Sequence, residues 1–167
     1  MEQSLLIRNA EMVFQGRLVH GDLRAFSGLI DSVAPGGGLT PREGEVVVEA
    51  EGLLLLPGAI DPQVHFREPG QPEKEDIGSG SKAAASGGVT SFLDMPNNVP
   101  SATSMGAMRS KIASASRNAV THHGFFIGAT QDNLPELQAA VGTPHSPTSI
   151  DGVCGIKIFM GSSTGDL

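Results

Sequence analysis

The fold is decided by the stretch Leu53-Leu54-Leu55-Leu56-Pro57-Gly58-Ala59-Ile60-Asp61-Pro62-Gln63-Val64-His65. Its first part, residues 53–61, is a mostly apolar run that ends in polar residues. Such a run is typical of a strand that is buried on both faces, as the strands of a parallel sheet are. We therefore predict a buried strand over residues 53–61, with polar side chains at its carboxyl end.

Downstream of this run, helix-like and strand-like segments alternate. Each predicted helix carries apolar residues at helical spacing, and the first one stops at Gly87-Gly88, a common way for a helix to end. The predicted helices cover residues 73–86, 101–117 and 133–141, and the predicted strands cover residues 89–95, 120–127 and 153–160. This alternation is typical of a parallel α/β fold, either an open doubly wound sheet or a (β/α)8 barrel.

Length bears on the choice between these two closures. A full (β/α)8 barrel takes roughly 250 residues, whereas residues 53–167 supply only four strands. If the fold is a barrel, we expect it to be truncated after the fourth strand, so that the chain is a fragment with two unpaired edge strands. If it is not, the sheet is open.

The segment before residue 53 has a different character. Residues 1–52 contain short runs of partly alternating apolar and polar residues, separated by turns rich in glycine and proline. Strands of this length and spacing indicate a small β-sandwich or a meander. We therefore predict two domains, a β-sandwich segment over residues 1–52 and an α/β segment over residues 53–167.

Composition excludes several classes of function. The chain carries 18 acidic and 11 basic residues, for a net charge of −7, and its basic residues form no cluster that could neutralise a nucleic acid backbone. The longest apolar run is far shorter than the roughly 20 residues that a membrane helix needs. Cys154 is the single cysteine, and the amino terminus does not resemble a signal peptide. We expect a cytoplasmic protein that binds neither nucleic acid nor membrane, with Cys154 as a small buried core residue.

Polar side chains gather at the carboxyl end of the first predicted strand. Alternation along a strand sends Asp61, Gln63 and His65 to one face. Active sites of parallel α/β folds are built at this end of the sheet. A single histidine in such a place is more often a hydrogen-bonded structural residue, so the functional interpretation depends on the whole string.

That string, Asp61-Pro62-Gln63-Val64-His65-Phe66-Arg67-Glu68-Pro69-Gly70, resembles the signature Asp-x-His-x-His-Phe-Arg-Glu-Pro-Gly of the dihydroorotases, in the amidohydrolase superfamily. Further stretches are similar to segments of that family in the same order. They are the helix-to-strand passage at residues 82–90, the Met-Pro-Asn loop at residues 95–98 and the lysine-bearing strand at residues 155–163. The resemblance spans most of the chain, and it implies the barrel closure of the sheet.

The resemblance implies a metal site. His65 matches the second histidine of the family's metal pair, and Lys157 matches the lysine that is carbamylated and bridges two zinc ions. A carbamate is an anionic oxygen donor, whereas a free ammonium group cannot bind a cation. Gln63 stands where the family has its first metal histidine, and an amide oxygen is a poorer zinc ligand than imidazole. We therefore expect one or two zinc ions. The alternative to a carbamylated, metal-binding Lys157 is an ordinary lysine that points to an exposed face of its strand.

The resemblance also implies a substrate site. Arg67 and Asn97 match the residues that hold the substrate's carboxylate, which suits the planar fork of arginine. Asp61 would support the metal histidine by a hydrogen bond. The alternatives are a surface ion pair of Arg67 with Glu68 and a turn-forming role for Asn97. The catalytic aspartate and two more histidines are expected beyond Leu167, so no catalytic residue is assigned, and the other four histidines are expected to be structural or exposed.

The implied activity is the reversible hydrolysis of L-dihydroorotate to N-carbamoyl-L-aspartate, a step of pyrimidine biosynthesis. One alternative is a related cyclic amidase of the allantoinase or hydantoinase type. Another is a non-catalytic relative that supports an aspartate transcarbamoylase, which the glutamine at position 63 favours. A homodimer is also compatible with the resemblance. The simplest picture places His65 and Lys157 at the tips of neighbouring strands, around one cation.

Overall fold

A computed structural model describes residues 3–161 of the chain. Within it the chain forms two compact units that divide between Pro57 and Gly58. The boundary therefore lies a few residues after the start of the second segment that the sequence predicts.

The first unit is a mixed β-sheet. Its strands are β1 (Ser4–Phe14), β2 (Arg17–Phe26), β3 (Leu29–Pro35), β4 (Val46–Glu49) and β5 (Leu54–Leu55). They form one sheet in the order β3-β2-β1-β4, with β5 also paired to β1. Strands β1, β2 and β3 pair antiparallel, whereas β4 and β5 run parallel to β1. The strands of residues 3–57 thus belong to one hydrogen-bonded sheet.

Two tight turns fix the antiparallel part of this sheet. Gln15 and Gly16 join β1 to β2 with φ angles of 50° and 74°, and Ser27 and Gly28 join β2 to β3 with 48° and 80°. Two-residue turns with both φ angles positive match the right-handed twist of the strands that they join. The register that follows pairs Phe14 with Arg17 across the first turn.

A buried ion pair ties the loop before β4 to the sheet of the first unit. Arg24 donates from Nε to Glu45 Oε1 at 2.7 Å and from Nη2 to Glu45 Oε2 at 3.0 Å. The arginine also donates to the carbonyl of Thr40 at 2.6 Å. Both charged side chains are almost fully covered, with exposed fractions of 6% and 0%. This two-point contact fixes the path of the glycine-rich loop.

The strand predicted over residues 53–61 is in fact two strands that belong to different units. Leu54 and Leu55 pair with β1, and a new strand, β6 (Ala59–Val64), begins after Pro57-Gly58. Proline has no backbone N–H to donate to a ladder, so the run breaks there. The prediction of burial on both faces is also wrong, because Leu54 is 54% exposed and Ile60 is 65% exposed.

The second unit is a parallel α/β layer. It continues after β6 with α1 (Ile77–Ser86), β7 (Val89–Asp94), α2 (Met105–Asn118), β8 (His122–Gly128), α3 (Leu134–Val141), β9 (Gly142–Thr143), β10 (Ser146–Pro147) and β11 (Val153–Lys157). The main sheet has the order β11-β8-β7-β6, and all of its pairs are parallel. The prediction of a parallel α/β fold is confirmed. The short hairpin of β9 and β10 was not predicted.

Local side-chain contacts explain where the helices begin. Asp76 accepts a hydrogen bond from the Ser79 amide, and Ser104 accepts one from the Ala107 amide, so α1 and α2 start later than their apolar patterns predict. Predicted and observed strands agree within a few residues for β7, β8 and β11. The predicted fourth strand ends in a segment whose Ser162 and Ser163 lie outside the described residues.

The two faces of the main sheet differ. One face packs against the helices, where Phe92, Phe125 and Ile127 are fully buried together with Ile77 and Met108. The other face carries the side chains that alternate with these. No helix among residues 3–161 is long and apolar enough to span a membrane.

Candidate active site

The candidate site lies at the carboxyl ends of the parallel strands. His65 directly follows β6, Asn97 follows β7 by a short loop, and Lys157 is the last residue of β11. Because all strands of this sheet are parallel, these three residues lie at the same end of the sheet, where the strands have their carboxyl ends. Each position follows from where its strand stops, and each was proposed from the sequence.

The imidazole of His65 contacts the side chain of Asn97. Its Nδ1 atom lies 2.8 Å from Asn97 Oδ1, and both residues are half-buried. An amide oxygen only accepts, so the proton of a neutral His65 ring resides on Nδ1 and donates to Asn97. The lone pair is then on Nε2, the atom that a metal ion or a second donor can use. The contact with Asn97 therefore selects the tautomer whose Nε2 atom carries the lone pair.

The residues before His65 explain its orientation. Val64 packs against the helix-side core, so the side chains on either side of it, those of Gln63 and His65, point to the opposite face. Asp61 accepts a hydrogen bond from the Gln63 backbone amide at 3.0 Å. The register of β6 and β7 is irregular between Asp61 and Val64, so simple alternation does not extend back to Asp61. Asp61 acts on the backbone of the strand, and the side chain of Gln63 is exposed.

Lys157 projects from the same face of the sheet as His65. In the register of β11 and β8, Ile156 pairs with the buried Ile127 and Lys157 pairs with Gly128. Paired residues of parallel strands share a face, so Ile156 turns to the helices and Lys157 turns away from them. The ammonium group lies 5.2 Å from the centre of the Phe159 ring.

The strands that carry His65 and Lys157 are not neighbours, contrary to the simplest expectation. β6 and β11 lie at opposite edges of the sheet, with β7 and β8 between them. Three strand spacings amount to about 14 Å along a flat sheet. The two side chains can approach a common ion only in front of the middle strands, by the inward curvature of a barrel.

The donor chemistry fits a metal site in part. His65 offers an imidazole nitrogen in the required tautomer, and Lys157 offers an anionic oxygen only after carbamylation. Across residues 3–161, no three histidine, cysteine, aspartate or glutamate side chains come together in a way that could hold a metal ion. This part of the chain therefore supplies individual donors and not a complete ligand set.

Arg67 follows His65 by two residues and carries a positive charge. It is half-buried, and its guanidinium group has no ion pair or hydrogen bond with any side chain in the described part of the chain. The surface ion pair with Glu68 is not formed there, because the Glu68 carboxylate accepts from the Ile77 amide at 3.0 Å and from the Ser114 hydroxyl. Arg67 is thus a positive group that no carboxylate of residues 3–161 neutralises by direct contact.

The loops after β6 and β7 contact each other through their backbones. The Val99 amide donates to the Pro69 carbonyl at 3.3 Å. A Cβ atom at Gly70, where φ is 111°, would lie 2.1 Å from the Val99 carbonyl oxygen, so only glycine fits at that position. The two loops that carry His65, Arg67 and Asn97 are therefore in direct backbone contact.

A buried polar cluster that the sequence did not reveal lies beneath these loops. Lys111, on α2, is 1% exposed, and its Nζ atom lies 2.8 Å from Asp94 Oδ2. The same ammonium group donates to Asn98 Oδ1 at 2.6 Å and to the Met95 carbonyl at 2.8 Å. Burial raises the pKa of Asp94 and lowers the pKa of Lys111, and the charge of each partner opposes the shift of the other.

None of the other histidines within residues 58–161 lies at the carboxyl ends of these strands. His20 faces Glu11 in the first unit, and His123 packs among Phe92 and Phe125. His122 and His145 are exposed. Four histidines are therefore structural or exposed, as predicted.

The expectation that Cys154 belongs to the core is wrong. The residue is exposed. Val153 packs in the helix-side core, so alternation turns Cys154 to the face away from the helices, beside Gly124.

Comparison with known proteins places this geometry in a family. Residues 52–145 match the family model described as dihydro-orotase-like. The dihydroorotase of Lactobacillus helveticus is 37% identical over 152 residues, which cover 88% of this chain and 34% of the relative. The allantoinase of Solibacter usitatus is 33% identical over 159 residues, which cover 95% of this chain and 32% of the relative. The chain spans about a third of the length of these relatives.

Solved structures agree on the fold. The L-hydantoinase of Arthrobacter aurescens superimposes with a TM-score of 0.75 over 90% of this chain and 36% of its own, at 20% identity. A D-hydantoinase from a Thermus species gives 0.62 over 81% of this chain and 31% of its own, at 27% identity. The parallel strands and their helices correspond to the first strand–helix units of a (β/α)8 barrel, as the sequence indicates. With the signature string at residues 61–70 inside the matched region, the chain belongs to the dihydro-orotase-like family.

Proposed function

We propose that the protein to which this chain contributes hydrolyses, reversibly, the cyclic amide of L-dihydroorotate to N-carbamoyl-L-aspartate. The observation that carries the proposal is the contact of His65 with Asn97 at the carboxyl ends of the parallel strands, two residues before Arg67, which no carboxylate of residues 3–161 neutralises by direct contact. The dihydroorotase relatives support the reaction, and the family match supports cyclic amides as the substrate class.

The substrate carboxylate is the group that Arg67 and Asn97 would bind. A guanidinium group offers two parallel N–H donors to a carboxylate, and the NH2 group of an amide adds a third. Because Asn97 Oδ1 faces His65, one side chain would connect the substrate site with the ligand-bearing histidine. Binding the carboxylate there would orient the ring over His65, which lowers the barrier by fixing the geometry of attack.

The metal ligands would be His65, carbamylated Lys157 and, more weakly, Gln63. Zinc, as one or two ions, would supply a Lewis acid that polarises the ring carbonyl and makes water more acidic. Asp61 would hold the strand that presents Gln63 and His65 by its bond to the Gln63 amide. No general base is assigned among residues 3–161.

Two other functions remain alternatives. An allantoinase or hydantoinase activity is favoured by the allantoinase relative, which aligns over 95% of this chain. A non-catalytic role beside an aspartate transcarbamoylase is favoured by Gln63, since glutamine weakens one metal position. For each of the three functions we propose a cytoplasmic location. The proposed partner is a second copy of the protein or an aspartate transcarbamoylase.

The test compares substrates on the full-length protein and on the 167-residue chain. Zinc content is measured together with hydrolysis of dihydroorotate, allantoin and hydantoin. The proposal expects zinc-dependent turnover of dihydroorotate by the full-length protein, with kcat/KM at least tenfold above that for the other two. Preference for allantoin or hydantoin supports the second function, and a folded protein without zinc or turnover supports the third.

A substitution tests the carboxylate site separately. Arg67→Ala is expected to raise KM for dihydroorotate at least tenfold with a smaller change in kcat, because binding of the carboxylate is lost. Arg109→Ala is the control, since Arg109 is exposed on α2. Unchanged kinetics in Arg67→Ala would contradict the assignment.

A further inference from the structure

We propose that Lys111 is a positioning residue, whose contacts with Asp94 and Asn98 hold the two site loops together and so keep His65 against Asn97. The expected effects on zinc affinity and on turnover rest on the proposed function, whereas the expected effect on the loops does not. It concerns a buried side chain on α2 that touches neither His65 nor Arg67 in any hydrogen bond.

The ammonium group of Lys111 contacts three oxygens at the end of β7 and in the loop that follows it. It donates hydrogen bonds to Met95 O at 2.8 Å and to Asn98 Oδ1 at 2.6 Å, and it forms an ion pair with Asp94 Oδ2 at 2.8 Å. An ammonium group has three donors and no acceptor, so it can bind several oxygens at once. Lys111 therefore determines the path of residues 94–98, the segment that carries Asn97.

Two of these partners extend the cluster to the other loop. Asp94 Oδ1 accepts from the Phe66 amide at 3.1 Å, and Asn98 Nδ2 donates to the carbonyls of Phe66 at 3.1 Å and Glu68 at 3.0 Å. Both backbone groups of Phe66 are thus bound by side chains that Lys111 holds. Phe66 lies between His65 and Arg67, so the cluster fixes the backbone on which both site residues stand.

Stability alone does not explain a buried ion pair at this place. Lys111 and Asp94 have side chains that are 0% exposed, and taking two charges out of water costs much of what their attraction returns. Well-packed apolar residues of similar volume often serve a core equally well. What apolar residues cannot do is bind four backbone groups of two loops in one geometry, and the cluster does this with the Met95, Phe66 and Glu68 carbonyls and the Phe66 amide.

The test uses the full-length protein and a matched pair of buried ion pairs. The double variant Asp94→Asn/Lys111→Met removes both charges beneath the site loops, and Arg24→Met/Glu45→Gln removes both charges of the buried pair in the first unit. Amide hydrogen exchange is measured for peptides over residues 64–70, 93–99 and 134–141. Zinc affinity, kcat and KM are measured on the same samples.

For the Asp94/Lys111 variant we expect exchange at residues 64–70 and 93–99 to become at least tenfold faster, with residues 134–141 within twofold of wild type. Zinc affinity and kcat/KM are expected to fall at least tenfold. The Arg24/Glu45 variant is expected to stay within twofold of wild type in exchange, zinc affinity and kcat/KM, even if its Tm falls as much as that of the Asp94/Lys111 variant. Asn98→Ala, which leaves the ion pair in place, is expected to show the same pattern with a smaller amplitude.

Two results would overturn the proposal. One is wild-type exchange in both site loops of Asn98→Ala and of the Asp94/Lys111 variant. The other is an equal loss of zinc affinity in the Arg24/Glu45 variant, which would mark a general effect of stability. A wild-type protein without turnover would refute the proposed function and not this inference, because hydrogen exchange in the loops still decides the positioning role.

Discussion

His65 Nδ1 lies 2.8 Å from Asn97 Oδ1, so one amide is bound to the histidine that we propose as a metal ligand. The same amide carries the NH2 group that we propose for the substrate carboxylate. Two functions on opposite ends of one side chain can be separated by changing one end at a time, and this is the basis of the first prediction.

Asn97→Asp keeps an oxygen for His65 but replaces the NH2 donor by a second oxygen with negative charge. We expect zinc affinity within threefold of wild type, because the ring keeps its acceptor, and KM for dihydroorotate raised at least 100-fold by repulsion of the carboxylate. Asn97→Ala removes both ends and should weaken zinc binding roughly 10- to 100-fold as well. Chelator competition and steady-state kinetics measure the two effects. Equal loss of zinc in both variants would contradict the separation.

The exposed Gln63 offers a gain-of-binding prediction. Gln63→His places an imidazole where a poorer amide ligand stands, so zinc affinity is expected to rise at least tenfold, with a higher zinc content per chain in the full-length protein. Gln138→His is the control, because Gln138 is exposed on α3 and not in a loop after a strand. Metal analysis after dialysis against a weak chelator gives the content. The same zinc content in Gln63→His and wild type would show that position 63 does not face a metal.

Stability in acid is expected to depend on Glu45. The hydrogen bond from Arg24 is the largest cause that lowers the pKa of Glu45, from 4.5 to about 2. A carboxyl with a lowered folded pKa stabilises the folded state above its unfolded pKa, and this contribution is lost as the pH falls towards the folded pKa. The stability difference between wild type and Glu45→Gln should therefore be full at pH 6 and shrink between about 4.5 and about 2.

Urea unfolding of the whole chain at several pH values measures this difference. Glu51→Gln is the control, because Glu51 is exposed on the same unit. A difference between wild type and Glu45→Gln that stays constant with pH would contradict the assigned ionisation.

Gly80 on α1 is expected to be intolerant of a methyl group. A Cβ atom there would lie 2.5 Å from the Phe66 ring, which is buried against the helix. Gly80→Ala should cost about 1–3 kcal/mol, because a packed ring has to move. Gly106→Ala on α2 is the matched control, since the nearest atom outside its own neighbourhood is Ser104 Oγ at 3.9 Å, and it should be neutral or stabilise by up to about 1 kcal/mol. Urea denaturation measures both, and equal values would contradict the contact.

The parts of the fold that could be predicted are those with a local signal. The three helices and the strands β7, β8 and β11 follow from apolar periodicity and glycine stops, and the positions of His65, Asn97 and Lys157 follow from where strands end. The break at Pro57 was missed because four leucines in a row outweighed the proline, although a proline without an N–H cannot continue the ladder. Cys154 was misplaced because the prediction rested on the usual burial of cysteine, whereas the core side of β11 is taken by its neighbour Val153.

The buried cluster could not be found in the sequence. Lys111 lies in a helix among serines and arginines, where a lysine is ordinarily solvated, and its partners come from another element. Asp94 and Asn98 flank a loop, where both residue types are common turn formers. Only the tertiary packing of α2 against the sheet brings these groups within bonding distance, and no local pattern encodes that packing.

The close contact between Gly70 and Val99 limits the routes by which a small molecule could enter the candidate site. The Val99 amide is bonded to the Pro69 carbonyl and the Val99 carbonyl packs on Gly70, so outward movement of either segment alone would break a backbone hydrogen bond. These two segments would travel as a single rigid flap or stay still. Entry and exit would then depend on a different part of the rim, or on a hinge that both share.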